Sequence, residues 1–116
     1  MLSLTILSCK EQRMNKVGEM YTLGIWTAKQ GKENSFKTAW ESFAKWTTKN
    51  QAGAGTGYLL QDPEKPQQFI SYGPWENAEA IKSWRERPEF KAFVSQAREL
   101  CEELQPRTLV LVATSE

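Results

Sequence analysis

The side chains best suited to chemistry in this chain are aromatic, and two tryptophans stand close together in the stretch WENAEAIKSWRERPEF, from Trp75 to Phe90. Trp84 falls on the inward face of a short predicted helix, where it can form the roof of a cavity between helices and sheet. A cavity lined by aromatic rings and a few polar groups suits a flat, electron-rich organic ligand. The alternative is that these rings only fill the core of a small domain.

Further candidates for the same cavity lie on other predicted elements. Tyr72 and Trp84 are the candidate catalytic residues, because their phenol and indole N–H supply polar groups within an aromatic cluster. The candidate ligand-binding residues are Trp26, Trp40, Phe43, Arg85 and Phe90. Trp75 stands at a strand-to-helix corner and is expected to pack the helix onto the sheet.

Histidine is absent from the 116 residues. Its absence excludes Ser-His-Asp and Cys-His catalysis, and also zinc or haem ligated by histidine. Cys9 and Cys101 form no C-x-x-C pair, and we interpret both as unreactive thiols in a reduced, cytoplasmic compartment. No metal or flavin motif is present, so we expect no cofactor.

The net charge of +1 provides no electrostatic field that would gather nucleic acid or an anionic membrane. The apolar run from Leu2 to Leu7 is too short to cross a bilayer, so we expect no membrane partner. Residues 1–18 are interpreted as an N-terminal extension of a single domain at 19–116. The extension could add an edge strand, because Leu2, Leu4 and Ile6 alternate.

The residue patterns predict two helices and four strands. In chain order they are strand 20–28, helix 32–50, strand 58–62, strand 67–73, a helix that begins after Asn77, breaks at Arg87-Pro88 and continues to Pro106, and strand 107–113. The glycines at 53, 55 and 57 lie between a helix and a strand. A phosphate-binding loop needs the reverse order, so we interpret them as a connector.

This order predicts an α+β domain of the ferredoxin-like βαββαβ type, with helices on one face of an antiparallel four-stranded sheet. Both faces of the predicted strands are apolar, since Leu23 and Ile25 alternate with Trp26 and Ala28. The helices can cover only one of these faces. We therefore expect a homodimer that packs through the other face of the sheet.

The pattern W-E-x-x-E-A-I-x-x-W-x-x-x-P-E-F at 75–90, between the strand QFISYG and the final PRTLVLVA, resembles the antibiotic biosynthesis monooxygenase family. The resemblance covers about residues 21–113 and implies a dimeric α+β barrel. It also implies one of several activities, which include cofactor-independent oxidation of polyphenols or quinols and oxidative haem breakdown. The haem-degrading branch is similar at Trp84. However, Val94 and Gly24 stand where that branch has its axial histidine and its asparagine.

Two functions follow from these observations. In the first, the protein is a cofactor-independent monooxygenase for a small aromatic substrate of the quinol type, whose anion itself reduces O₂. A carboxylate or tyrosinate with a shifted pKa would then have to act as the base. In the second, the protein is a non-catalytic dimeric module that binds a small aromatic molecule or a partner.

Overall fold

The computed structural model describes residues 15–116 as an antiparallel sheet of four strands and three helices. The elements are β1 (Met20–Ala28), α1 (Glu33–Asn50), β2 (Tyr58–Gln61), β3 (Gln68–Trp75), α2 (Ala78–Glu86), α3 (Pro88–Leu100) and β4 (Cys101–Val110). The predicted ferredoxin-like α+β order is confirmed, with the second helix in two pieces. The predicted extension at 1–18 lies almost entirely outside the described residues, together with Cys9.

The core lies between the helices and one face of the sheet. The strand order is β2-β3-β1-β4, so β1 is flanked by β3 and β4. Trp26 of β1 stands opposite Phe69 of β3, and both side chains are buried. The Trp26 ring lies 4.9 Å from Phe36 of α1 and 5.8 Å from Phe93 of α3, measured between ring centroids.

The break between α2 and α3 is held by local contacts. The side-chain oxygen of Asn77 accepts a hydrogen bond from the Ala80 N–H at 2.8 Å and caps α2, as predicted. Pro88 begins α3, where its missing N–H leaves no helical hydrogen bond unmade. Between them, the Arg87 guanidinium lies 4.6 Å from the Trp46 ring and donates to the Asn50 carbonyl at 2.9 Å. The break is therefore fixed against the end of α1.

The last helix ends earlier than the sequence predicts. The apolar spacing suggested a helix that included Cys101 and Leu104 and ended at Pro106, but α3 ends at Leu100 and β4 begins at Cys101. Residues 101–106 pair instead with β1, where Ala28 stands opposite Cys101 and Gly24 opposite Pro106. This pairing satisfies the main-chain groups of β1, which a longer helix would leave without partners on that side.

Pro106 fits into β4 because β4 lies at one edge of the sheet formed by the described strands. The Leu111 N–H donates to the Glu19 carbonyl at 2.9 Å, and only every second pair in an antiparallel ladder is hydrogen bonded in this way. In this alternation Gly24 and Pro106 form a pair without hydrogen bonds between them, so the Pro106 nitrogen points away from β1. Its missing N–H therefore removes no bond within the sheet.

No helix of residues 15–116 covers the second face of the sheet, which is apolar, as predicted from the strand patterns. We call it the helix-free face and define it by Tyr21, Leu23, Ile25, Tyr58, Leu60, Ile70, Tyr72 and Leu109, which share one side in the strand register. Leu60 is 53% exposed and Ile70 is 43% exposed. Within residues 15–116, no helix combines the length and the apolar character that crossing a membrane requires.

Candidate active-site cavity

A cavity of about 500 Å³ lies between the helices and the helix-facing side of the sheet. This volume falls within the usual range for sites that bind small molecules. Its aromatic lining residues are Trp26, Trp40, Phe43, Tyr72, Trp75, Trp84, Phe90 and Phe93. The structure thus brings together around one cavity all the residues predicted to bind a ligand, including Arg85.

Trp84 occupies the roof of the cavity and contacts aromatic rings on three sides. Its ring centroid lies 4.8 Å from that of Trp75 and 4.6 Å from that of Phe90. Phe43 of α1 stacks against it at 5.8 Å. The break between α2 and α3 allows this arrangement, because it places Trp84 and Phe90 on separate helices that both turn towards α1. Trp75 packs the roof onto the sheet, as predicted, and also borders the cavity.

Three indole N–H groups at the cavity each donate a hydrogen bond to a hydroxyl oxygen. Trp26 donates to Ser71 at 2.9 Å. Trp75 donates to Thr22 at 2.9 Å, and Trp84 donates to Thr47 at 3.0 Å. Because an indole can only donate, each hydroxyl oxygen must be the acceptor in its pair.

The charged side chains at the cavity are cationic. Arg85 and Arg98 line it, and among the described lining residues there is no aspartate, glutamate or lysine. Arg85 donates to the Thr108 hydroxyl at 3.1 Å. Arg107 also borders the cavity, but it pairs with Leu23 and donates to Gln105, so its side chain points to the helix-free face. The cavity therefore favours a ligand that carries negative charge.

Tyr72, predicted as catalytic, is placed differently from Trp84. It stands opposite Leu23 of β1 and Tyr58 of β2 in the register, and its ring lies 5.5 Å from that of Tyr58. Side chains alternate along a strand, and the neighbouring Ser71 points into the cavity. Tyr72 therefore borders the cavity through its main chain, while its ring belongs to the helix-free face.

The two positions that differ from the haem-degrading branch both line the cavity. A Cβ built on Gly24 would stand 2.6 Å from the Trp26 indole nitrogen and 2.9 Å from the Ser71 hydroxyl. The Trp26–Ser71 pair thus occupies the space that a side chain at residue 24 would need. Val94 has no atom able to ligate iron.

We therefore expect that titration with haemin produces no saturable shift of the Soret band. The physical reason is that no imidazole is present and the indole of Trp26 fills the space over Gly24. The measurement is an absorbance titration followed by addition of a reductant. A sharp Soret shift with subsequent loss of haem absorbance would show that another side chain ligates the iron.

Several polar residues that line the cavity were not predicted as site residues from the sequence, and four of them matter for its chemistry. They are Thr22, Thr47, Ser71 and Arg98. Thr47 lies on the buried side of α1. The signal for the hydroxyls would have been their position on the same faces as the tryptophans. Arg98 lies in the last turn of α3, and a single exposed arginine there gives no comparable sequence signal for a binding site.

Neither the Cys101 thiol nor the glycine segment 53–57 has the features of a reactive or phosphate-binding site. Burial raises the pKa of the Cys101 thiol to about 11, against the opposing charge of Lys29, so the reactive thiolate is scarce at neutral pH. The glycine segment is a connector, whose Gly55 N–H donates to the Pro74 carbonyl at 2.8 Å. Within the described part of the chain, no group of metal-ligating side chains is arranged to hold an ion.

Comparison with known proteins agrees with this architecture. No curated protein matches the sequence significantly. Among solved structures, SnoaB from Streptomyces nogalater, a cofactor-independent oxygenase, superposes with a TM-score of 0.77 at 17% identity, over 84% of this chain and 97% of that chain. Rv0793 from Mycobacterium tuberculosis gives 0.73 at 10% identity, over 84% and 99%.

PA3566 from Pseudomonas aeruginosa is similar to the same degree, with a TM-score of 0.72 at 17% identity, over 83% of this chain and 96% of that chain. At these identities the superpositions establish the fold. The sequence profile of the antibiotic biosynthesis monooxygenases matches residues 21–96, which is most of the described domain. The chain therefore belongs to the antibiotic biosynthesis monooxygenase family.

Proposed function

We propose that this protein is a cofactor-independent monooxygenase that oxidises a small hydroxylated aromatic substrate of the quinol type. The observation that carries the proposal is the cavity itself, in which aromatic walls surround a space whose charged lining residues are arginines. Membership of the family and the likeness in fold to SnoaB, a cofactor-independent oxygenase, support the same activity.

The aromatic walls bind and orient the substrate. A planar ring can stack between Trp84 and Phe43 in the roof and the sheet below, with water displaced from its faces. Exclusion of water matters here because the substrate anion and reduced oxygen are both reactive towards it. In this role Trp84 acts as the principal stacking surface.

Arg85 and Arg98 provide the positive charge that stabilises the substrate anion. A guanidinium keeps its charge at any physiological pH, and it stabilises a phenolate in preference to the neutral phenol. No carboxylate is among the described lining residues, so the arginines promote loss of the phenol proton to solvent by lowering the pKa of the substrate. The carboxylate or tyrosinate base expected from the sequence is then not required.

The reaction balances without a cofactor. The phenolate transfers one electron to O₂, and the resulting radical pair combines to form a new C–O bond at the ring carbon opposite the phenolate oxygen. The resulting peroxide anion takes up a proton from solvent, which replaces the one that the phenol lost, and loss of water from the hydroperoxide leaves a quinone. For 1-naphthol as a test substrate, one phenol and one O₂ give one 1,4-naphthoquinone and one water. One oxygen atom enters the product and the other leaves as water.

Replacing Arg98 with glutamine is expected to lower the rate of oxygen uptake with 1-naphthol by about 10- to 100-fold. Removal of one group that stabilises developing negative charge typically costs about 100- to 1000-fold, and the solvent exposure of Arg98 reduces that effect. The measurement is oxygen consumption, with ¹⁸O₂ used to follow one labelled atom into the quinone.

Lys91→Gln is the matched control, because it removes a positive charge two turns earlier on α3 at a residue outside the cavity. Equal rates for Arg98→Gln and the wild type would contradict the proposed role of Arg98. Saturable binding of 1-naphthol without oxygen uptake by the wild type would identify the non-catalytic binding module instead.

We also propose that two copies pack through the helix-free face. Its exposed side chains include Tyr58, Leu60, Ile70 and Leu109, and a contiguous apolar surface of this kind is unusual on a monomer. A twofold pairing covers the same patch on both copies at once. Tyr72 then has a place in the dimer interface. A reducing compartment such as the cytoplasm suits the free, buried Cys101.

A further inference from the structure

The hydroxyls that accept the three indole hydrogen bonds each keep a proton to donate. Thr22, Thr47 and Ser71 accept from Trp75, Trp84 and Trp26 respectively. Each hydroxyl has one hydrogen, and among the described residues none of the three donates it to a protein acceptor. All three hydroxyl residues line the cavity.

Thr48 shows what a helical threonine does when no tryptophan engages it. Its hydroxyl lies in the same cavity lining, but it donates to the Ala44 carbonyl at 3.1 Å in the usual manner of a helical threonine. Thr47, one residue earlier, is buried and accepts from Trp84 instead. The Thr47 hydroxyl oxygen is thus the acceptor for the indole N–H, which leaves the hydroxyl proton to be donated.

The hydroxyls are placed on both sides of the cavity. Ser71 stands opposite Gly24, and Thr22 stands opposite Gly73, so the two hydroxyls lie diagonally on neighbouring strands in the sheet. Diagonal neighbours of this kind are separated by about 7–8 Å. Thr47 reaches the cavity from α1. A ring that bears oxygen atoms at several edges can therefore meet donors from the sheet and from the helix.

We propose that Thr22, Thr47 and Ser71 are specificity-determining residues, whose hydroxyl protons recognise carbonyl or phenolate oxygens on the ligand. The inference builds on the proposed function, because the phenolate substrate and the quinone product both carry such acceptors. Arg85 and Arg98 are donors as well. The cavity therefore selects aromatic ligands by their acceptor oxygens, and an aromatic hydrocarbon of the same shape binds less tightly.

The test compares two ligands that differ only in their carbonyls. Anthraquinone-2-sulfonate and anthracene-2-sulfonate share a three-ring frame and a sulfonate. The ratio of their dissociation constants therefore reports how much the two carbonyl oxygens contribute to binding. Binding is measured without oxygen by quenching of tryptophan fluorescence, corrected for absorption by the ligand. The wild type is expected to prefer the quinone, and a wild type that does not prefer it overturns the proposal.

Thr47→Val is expected to reduce that preference by about 5- to 10-fold, which is the usual effect of one lost hydrogen bond. Thr47→Ser should restore it, and Ser71→Ala should reduce it similarly from the sheet side. Thr38→Val, at an exposed threonine of α1 that does not line the cavity, is the matched control and should leave the preference unchanged. An unchanged preference in both Thr47→Val and Ser71→Ala would overturn the proposal.

These outcomes are separate from turnover. Binding is measured without oxygen. If the protein prefers the quinone but consumes no oxygen with 1-naphthol, the roles of the three hydroxyls are supported and the oxygenase activity is contradicted. If the protein oxidises 1-naphthol but does not prefer the quinone, the oxygenase activity is supported and the roles of the three hydroxyls are contradicted. Thermal unfolding of each variant checks that the fold is intact.

Discussion

Trp84→Ala is expected to lower the free energy of unfolding by about 3 kcal/mol, the lower end of the range for replacing a tryptophan in a core. The lower end applies because the Trp84 side chain is only half-buried. The change removes ring contacts with Trp75, Phe43 and Phe90 and leaves Thr47 without its indole donor. Urea unfolding measures the loss of stability.

The same change is expected to weaken binding of anthraquinone-2-sulfonate by about 1–3 kcal/mol, because it removes a stacking surface and buried aromatic area. Trp46→Ala provides a control of equal size. Trp46 stacks on Phe43 at 5.7 Å but is not among the residues that line the cavity. If both variants bind the ligand as the wild type does, Trp84 is a core residue only.

Ile70→Asp is expected to convert a dimer into monomers, with an increase in the dissociation constant of about a thousandfold or more. Ile70 is 43% exposed in a single copy, so an aspartate there costs one copy little. In a twofold dimer the same change buries two carboxylates, and a buried charge without a partner costs several kcal/mol. Sedimentation at micromolar concentration measures the change.

Ala92→Asp, on the exposed side of α3, introduces the same charge away from the helix-free face and should leave the dimer intact. The circular dichroism spectrum of Ile70→Asp should remain that of the folded domain. A wild type that sediments as a monomer would refute the proposed dimer.

The fold was predictable because its signals are local. The residue pattern of 32–50 predicted α1, and Asn77 with Pro88 predicted the starts of α2 and α3. The end of α3 was not predictable in the same way. Leu100, Cys101 and Leu104 continue a helical spacing, and only pairing with a distant strand makes them extended.

The site was partly predictable for a related reason. Tryptophan and phenylalanine positions on predicted inward faces were enough to assemble most of the cavity wall. The face of Tyr72 was not determined, because both faces of its strand are apolar and alternation alone does not say which one meets the helices. The partner of each indole N–H lies far along the chain, as Ser71 does from Trp26, so the sequence did not show which hydroxyl each indole would contact.

The edges of this sheet limit how copies of the protein can join. An exposed edge strand can recruit a strand from another molecule without end, as in fibres. Here β2 has only four residues, and the outward position of the Pro106 nitrogen in β4 denies an incoming strand one of its hydrogen bonds. In the proposed dimer, association through the helix-free face is self-limiting, because a twofold pairing buries the same patch on both copies at once. Pro106 thus disfavours open-ended association of strand edges in a domain whose helix-free face is apolar.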